Sequence, residues 1–401
     1  MGSARRRVNQ HPTRDLMSTA SLTSGTGSIE DFQPPAALTS ASQRVNIRNS
    51  WLELLRQERG FLIMLGTAFF LVGATYQTPH IAMWIGFAFA DYAAVSNDSI
   101  QTLGTFLSSN RDKPWWLLWM FVGGIFLVTM TYGWMTHAGD VSYGRLEKFA
   151  QPHTFTFLQI AAPLFLIIIT RLRMPVSTTF LLLSCFATSG KSIGAVLSKS
   201  LSGYVIAFVC AIVLWSVFGR LMQRKFTGEA HPAWRAFQWL TTGVLWSVWL
   251  MQDAANTAVF LPRTLNGFEY MAFAGVIFLG LGVLLRKGGD KIQEVVDEKS
   301  DVVDVRAASM IDLLYAVVLI VFKISSKIPM STTWVFLGLL AGREIGMALT
   351  RSNNSGNGFG HAWKLMRRDV GYAAAGLLVS LILAAATNEV VRDALLGDLA
   401  G

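Results

Sequence analysis

Two short stretches of this chain say nearly the same thing 154 positions apart: PVSTT at Pro175–Thr179 and PMSTT at Pro329–Thr333. Proline suits the first turn of a helix, and a Ser or Thr there caps it. The free N–H groups and positive dipole end of such a turn attract an anion. Ser177, Thr178, Thr179, Ser331, Thr332 and Thr333 add hydroxyl donors. Capping accounts for one hydroxyl per copy, which leaves two per copy for an oxyanion. A second motif also occurs twice. Asn97, Asp98 and Gln101 are matched by Gln252, Asp253 and Asn256, both reading amide–Asp–x–x–amide. Residues three apart share a helix face, which would put Asp98 beside Gln101 and Asp253 beside Asn256. A carboxylate among amide carbonyls is an oxygen set for a small hard cation. Sodium fits at Asp98 and Asp253, and a proton could replace it by titrating the carboxyl. Hydrogen-bonded helix glue would explain one such motif more easily than two matched ones.

These residues need elements to hold them, and the composition says where those elements sit. The chain has 401 residues, 52% hydrophobic and 15% charged, whereas a soluble domain carries about a quarter charged residues. Apolar runs near bilayer-crossing length recur at roughly 61–78, 82–106, 115–136, 154–170, 175–197, 201–219, 236–258, 268–286, 306–322, 329–349 and 370–388. Each needs about 20 residues to cross, and in lipid helices satisfy their own backbone. The fold expected is an all-α polytopic membrane protein. An ionised Asp inside it costs roughly 2.5 kcal/mol or more, so Asp98 and Asp253 need a reason to be there.

The spacing supplies one. Asp98 precedes Thr178 by 80 residues and Asp253 precedes Thr332 by 79. Two unrelated motifs thus recur in one order at one spacing. The offset between copies covers five apolar runs, and an odd number turns the second copy over. Two inverted-topology repeats with re-entrant helical hairpins are therefore expected, with the substrate site near the midplane where they meet. The expected parts are a disordered tail at 1–50, repeat 1 at 51–225, repeat 2 at 226–388 with a cytosolic linker at 287–305, and a C-terminal tail at 389–401. The net charge of +9 reads as orientation rather than nucleic-acid binding. Arg56, Arg59, Arg111, Lys113, Arg171, Arg173, Arg220, Arg224, Arg286 and Lys287 fall on one face if the N-terminus is cytoplasmic. The other face holds fewer basic residues, Arg145, Lys148, Lys199 and Arg263 among them. A multi-pass place in the plasma membrane, the inner membrane in a bacterium, follows.

At these four motifs the chain resembles the inorganic phosphate transporter (PiT) family. That family carries Gly-Ala-Asn-Asp-x-Ala-Asn in each half and Pro-x-Ser-Thr-Thr-His after it. The resemblance implies a homodimer of inverted repeats that moves phosphate with sodium or protons. It also implies that Ser177–Thr179 and Ser331–Thr333 hold the anion with help from Gln101 and Asn256, while Asn97, Asp98, Gln252 and Asp253 hold the cation. The chain departs from the pattern in places. Val95 and Leu250 stand where the family has glycine, Gln101 and Gln252 each replace an Asn, and Phe180 and Trp334 stand where it has His. Each Asn-to-Gln change carries an amide about 1.5 Å further out.

The function expected is a secondary active transporter of an inorganic oxyanion, phosphate with sodium. Sulfate, or coupling to protons, is the alternative within that class. An anion channel or a non-transporting anion sensor is the alternative outside it. No cofactor is expected, and no nucleic acid; the partners are the anion and the lipid bilayer. An enzyme is least favoured, because no nucleophile–base pair and no metal-ligand spacing occurs. Trp115, Trp116 and Trp119 read as an interfacial belt, and Cys185 and Cys210 as small buried hydrophobes.

Overall fold

The computed structural model describes residues 56, 58–149, 151–172, 176–225, 228–288, 304–325, 329–349 and 359–400. The expected N-terminal tail, most of the 287–305 linker and Pro175 lie outside them. Within them the elements are helices, with one isolated bridge between Phe149 and Ala187. In chain order they are α1 (Arg59–Thr75), α2 (Pro79–Ala94), a π-helical segment (Val95–Ser99), α3 (Ile100–Ser109), α4 (Trp115–Thr136), α5 (Phe157–Arg171), α6 (Thr178–Ser184) and α7 (Gly190–Lys225). There follow α8 (Ala233–Trp249), a second π-helical segment (Leu250–Ala254), α9 (Ala255–Thr257), a 3₁₀ turn (Ala258–Phe260), α10 (Gly267–Arg286), α11 (Val305–Ser325), α12 (Thr332–Leu349), α13 (Phe359–Thr387) and α14 (Glu389–Ala400). Among the described residues, five stretches are long and apolar enough to cross a bilayer: Trp115–Thr136, Ile193–Gly219, Gly267–Arg286, Val305–Phe322 and Met366–Thr387. Side chains such as Phe70, Val128 and Phe268 stand exposed on helices of this kind, where lipid is the natural solvent. The chain is a multi-pass membrane protein.

Local chemistry explains most helix starts. Pro79 opens α2. Thr156 and Gln159 form a reciprocal capping box on α5, and Asn266 and Glu269 form one on α10. The structure differs from the sequence expectation in several places. The runs at 82–106 and 236–258 are not single straight helices: a π segment interrupts each at its aspartate motif. The run at 175–197 breaks after the seven residues of α6. Asn388 Nδ2 donates to the carbonyls of Ser184 (3.2 Å) and Ala187 (2.8 Å), sealing backbone that the break leaves open. The polar string at Ser198–Ser202 looks like a boundary, yet α7 runs straight through it. Ser200 and Ser202 bond back to the carbonyls of Val196 and Ser198, so the helix absorbs them. At the far end, 389–400 forms a helix rather than a tail.

Two structural sequences correspond. Helix α2, a π segment and α3 match α8, a π segment and α9, and the π segments are offset by the same 155 residues as Asp98 and Asp253. Each is followed by a helix pair, α5–α6 and α11–α12, with a hydroxyl stretch at the joint. Helix α12 lies tightly on α7. A methyl added at Gly338, Gly342 or Gly346 would press into the backbone of Tyr204, Phe208 or Ile212. This small-xxx-small stripe lets the two backbones approach.

Candidate functional site

Asp98 and Asp253 each sit inside a π segment, 2% and 3% exposed. A π turn inserts one residue into the helical ladder and so changes which way the side chains around it point. Here both insertions fall on the aspartate and its preceding amide. Ser177 and Ser331 do the capping: Ser177 Oγ accepts from Phe180 N (3.0 Å) and Ser331 Oγ from Trp334 N (3.3 Å). The threonines after them turn toward the carboxylates. Thr179 Oγ1 donates to Asp253 Oδ1 (2.5 Å), and Thr332 Oγ1 donates to Asp253 Oδ2. Thr333 Oγ1 donates to Asp98 Oδ1 (3.2 Å), and Thr178 hydrogen-bonds the same carboxylate. Each aspartate therefore receives one threonine from each hydroxyl stretch. Thr178 and Thr332 serve the aspartate of their own copy, and Thr179 and Thr333 serve that of the other copy.

The amides complete the cluster unevenly. Asn97 Nδ2 donates to Asp98 Oδ1 (2.5 Å) and to the Val176 carbonyl (2.8 Å). Asn256 Nδ2 donates to Asp253 Oδ1 (3.3 Å) and to Thr179 Oγ1 (3.2 Å). Gln252 Nε2 reaches the Leu319 carbonyl on α11 (3.0 Å). Gln101 does not bond Asp98 as its spacing suggests. Its longer side chain reaches back a full turn, so Nε2 donates to Asn97 Oδ1 (3.0 Å). Gln101 Oε1, Gln252 Oε1 and Asn256 Oδ1 are buried and receive no hydrogen bond. Three such carbonyls within the two aspartate motifs are unusual, since buried acceptors normally find donors.

All twelve residues singled out in the sequence are buried. The contacts above tie both aspartates, Asn97, Gln101, Asn256 and four threonines together, with the two serines at the adjacent helix starts, while the amide nitrogen of Gln252 is held on α11. The expected cation and anion groups are not separate patches, because the threonine hydroxyls lie directly on the carboxylates. The helix-end contribution also differs between the copies. α12 has 18 residues and α6 only seven, so the first copy rests on its hydroxyls rather than on a helix dipole. The two aspartate motifs and two hydroxyl stretches supply two carboxyl groups, three open amide oxygens and four threonine hydroxyls that can each donate or accept.

Several participants escaped the sequence reading. Trp249 Nε1 donates to Thr332 Oγ1 (3.2 Å), and the Tyr315 hydroxyl donates to the Thr332 carbonyl (2.9 Å). Asp312, 1% exposed on α11, accepts from Thr105 Oγ1 of α3 (2.6 Å) and Thr242 Oγ1 of α8 (2.5 Å). A buried polar track leads on from it. Gln238 of α8 donates to Ser109, Asn110 donates to Gln238 (3.0 Å), and Arg235 meets Asp112 at the surface (2.8 Å). The Arg235 and Lys113 bonds hold the Asp112 carboxyl below its usual value. An acid alone in the apolar run 306–322 was a legible signal for Asp312. Nothing in the spacing announced Trp249 or Tyr315.

Among solved structures, a chain described as "The sodium-dependent phosphate transporter" superposes on this one with a TM-score of 0.50 at 16% identity. The match covers 79% of this chain and 99% of that chain. The likeness shows that the two share a fold. No family model matches the sequence, and no curated protein matches it.

Proposed function

We propose that this chain is a secondary transporter that moves inorganic phosphate together with sodium through the cluster around Asp98 and Asp253. The three donor-less amide oxygens of the two aspartate motifs carry this reading. Gln101, Gln252 and Asn256 offer what a small hard cation requires, a set of oxygens in which a carboxylate supplies the charge. The shared fold with a protein described as a sodium-dependent phosphate transporter supports the choice of ion pair.

The geometry suggests how cation and anion would depend on each other. A threonine hydroxyl has one proton and two lone pairs. Without a cation, the protons of Thr179 and Thr332 are committed to the Asp253 carboxylate, and that of Thr333 is shared between Asp98 and the Val176 carbonyl. A cation seated on a carboxylate takes over its charge. The hydroxyl oxygens then join the cation's shell, and their protons turn outward. Those outward protons are donors for phosphate oxygens, which makes anion binding conditional on cation binding. A cation beside the anion also lowers the cost of holding either in a dry cavity.

The remaining proposals follow from this. The two copies are inverted repeats that rock against each other around the midplane site. The N-terminus faces the cytoplasm, and the transporter is a homodimer in the plasma membrane. Purified protein in liposomes tests the central proposal. An inward sodium gradient should drive saturable accumulation of labelled phosphate above equilibrium. Accumulation driven by a proton gradient alone would replace sodium by protons, and preference for labelled sulfate would replace the anion. Ohmic current would make the protein a channel, and binding without flux a sensor.

A further inference from the structure

Between α4 and α5 the chain forms a tightly held roof. Asp140 accepts from the backbone N–H groups of Ser142 (2.6 Å) and Gly144 (2.8 Å). The Tyr143 hydroxyl donates to the Thr129 carbonyl, and its ring packs where a side chain at Gly133 would be. Phe149 pairs with Ala187 just past α6, and Arg263 Nη2 donates to the Phe149 carbonyl (3.2 Å). The roof thus joins the loop after the first hydroxyl helix to the loop after the second aspartate motif. Tyr143 has φ of +56°, a conformation costly for a bulky residue and retained where surroundings enforce it.

What this device holds in place is Arg145. It is 4% exposed, and its Nε and Nη2 atoms are buried without a hydrogen-bond partner. These two nitrogens form the side-on edge of the guanidinium, the edge that takes two oxygens of a carboxylate or phosphate at once. Asp253 lies within electrostatic reach of Arg145 but does not bond that edge. Lys199 of α7, 9% exposed, also lies within electrostatic reach of Arg145. Burial pulls the Arg145 guanidinium down to about 10, against the pull of Asp253 in the other direction, so it stays charged at neutral pH. A buried charge with an open bidentate edge is costly, and an oxyanion would satisfy it.

We infer that Arg145, with Lys199, is a receiving station for the tetrahedral oxyanion on its way to the central threonines. This rests on the transport reading above and adds to it a specificity-determining residue that the four motifs do not contain. Arg145 takes two oxygens of the incoming phosphate side-on, and Lys199 adds a point charge. The anion then passes to the hydroxyls that the cation has turned outward.

Sodium-driven uptake of labelled phosphate into liposomes, measured against both phosphate and sodium concentration, tests this. Arg145→Gln should raise the KM for phosphate about tenfold or more, the effect of losing a charged hydrogen bond. The maximal rate and the half-saturating sodium concentration should stay within about twofold. Arg145→Lys, which keeps the charge but loses the fork, should fall between. An unchanged phosphate KM, or a shift confined to the sodium dependence, overturns the inference and leaves Arg145 as a counter-charge for Asp253. If Arg145→Gln does not fold, Lys199→Gln decides: a raised phosphate KM supports the station, and an unaltered one overturns it. Absence of uptake by the unaltered protein removes the transport reading and this inference together.

Discussion

At the scale of single residues, the cluster turns on what a threonine hydroxyl can do in two directions. Asp98→Asn and Asp253→Asn keep the shape but remove the charge that attracts a cation. Both variants should insert normally and lose sodium-driven phosphate uptake, measured in liposomes beside a folding control by size-exclusion chromatography. Thr332→Val removes a hydroxyl that donates to Asp253 and accepts from Trp249. It should weaken phosphate binding by about 1 kcal/mol or more, the usual worth of a hydrogen bond, as read by isothermal titration. Ser177→Ala affects a cap instead. It should cost about 1 kcal/mol of stability with a smaller change in affinity. These residues were legible beforehand because hydroxyls and carboxylates stand out in apolar sequence. Their mutual contact was not, since each motif's spacing describes its own helix and says nothing of the partner across the cluster. Gln101 shows the limit: spacing put it on Asp98, and its side-chain length took it to Asn97.

At the scale of elements, the π segments and the glycine stripe do the positioning. Gly342 lies against the backbone of Phe208. Gly342→Leu should force α12 off α7 and displace Thr332 and Thr333 at the start of α12. Thermal unfolding in detergent should show a loss of about 1–3 kcal/mol or more, with phosphate uptake lost alongside. Asp312 ties α11 to α3 and α8 through two hydroxyls. Asp312→Leu leaves Thr105 and Thr242 to find other acceptors and should cost about 1–3 kcal/mol. Asp312→Asn, whose remaining oxygen still accepts one of them, should cost less; equal losses in the two variants would count against the tie. The apolar runs made most helices readable. The π insertions, the break after α6 and the continuity of α7 were not readable in the same way. They depend on backbone groups satisfied from elsewhere in the chain, such as the Asn388 amide, or on serines that bond within their own helix.

At the scale of the whole molecule, two matched motif pairs 154 and 155 residues apart come together so that every aspartate is held from both hydroxyl stretches. Repetition in the sequence suggests a duplicated plan, and the Thr–Asp contacts cross between the two copies of the motifs. If the hydroxyls are switched by the cation, phosphate affinity and sodium affinity must rise together. Binding linkage is reciprocal, so each ligand must tighten the other by one and the same factor. The most direct test is the dissociation constant of phosphate for the purified protein, titrated across sodium concentration at fixed ionic strength. Saturating sodium should tighten phosphate at least about tenfold, and phosphate should tighten sodium equally. A phosphate dissociation constant that stays level from zero to saturating sodium would contradict it.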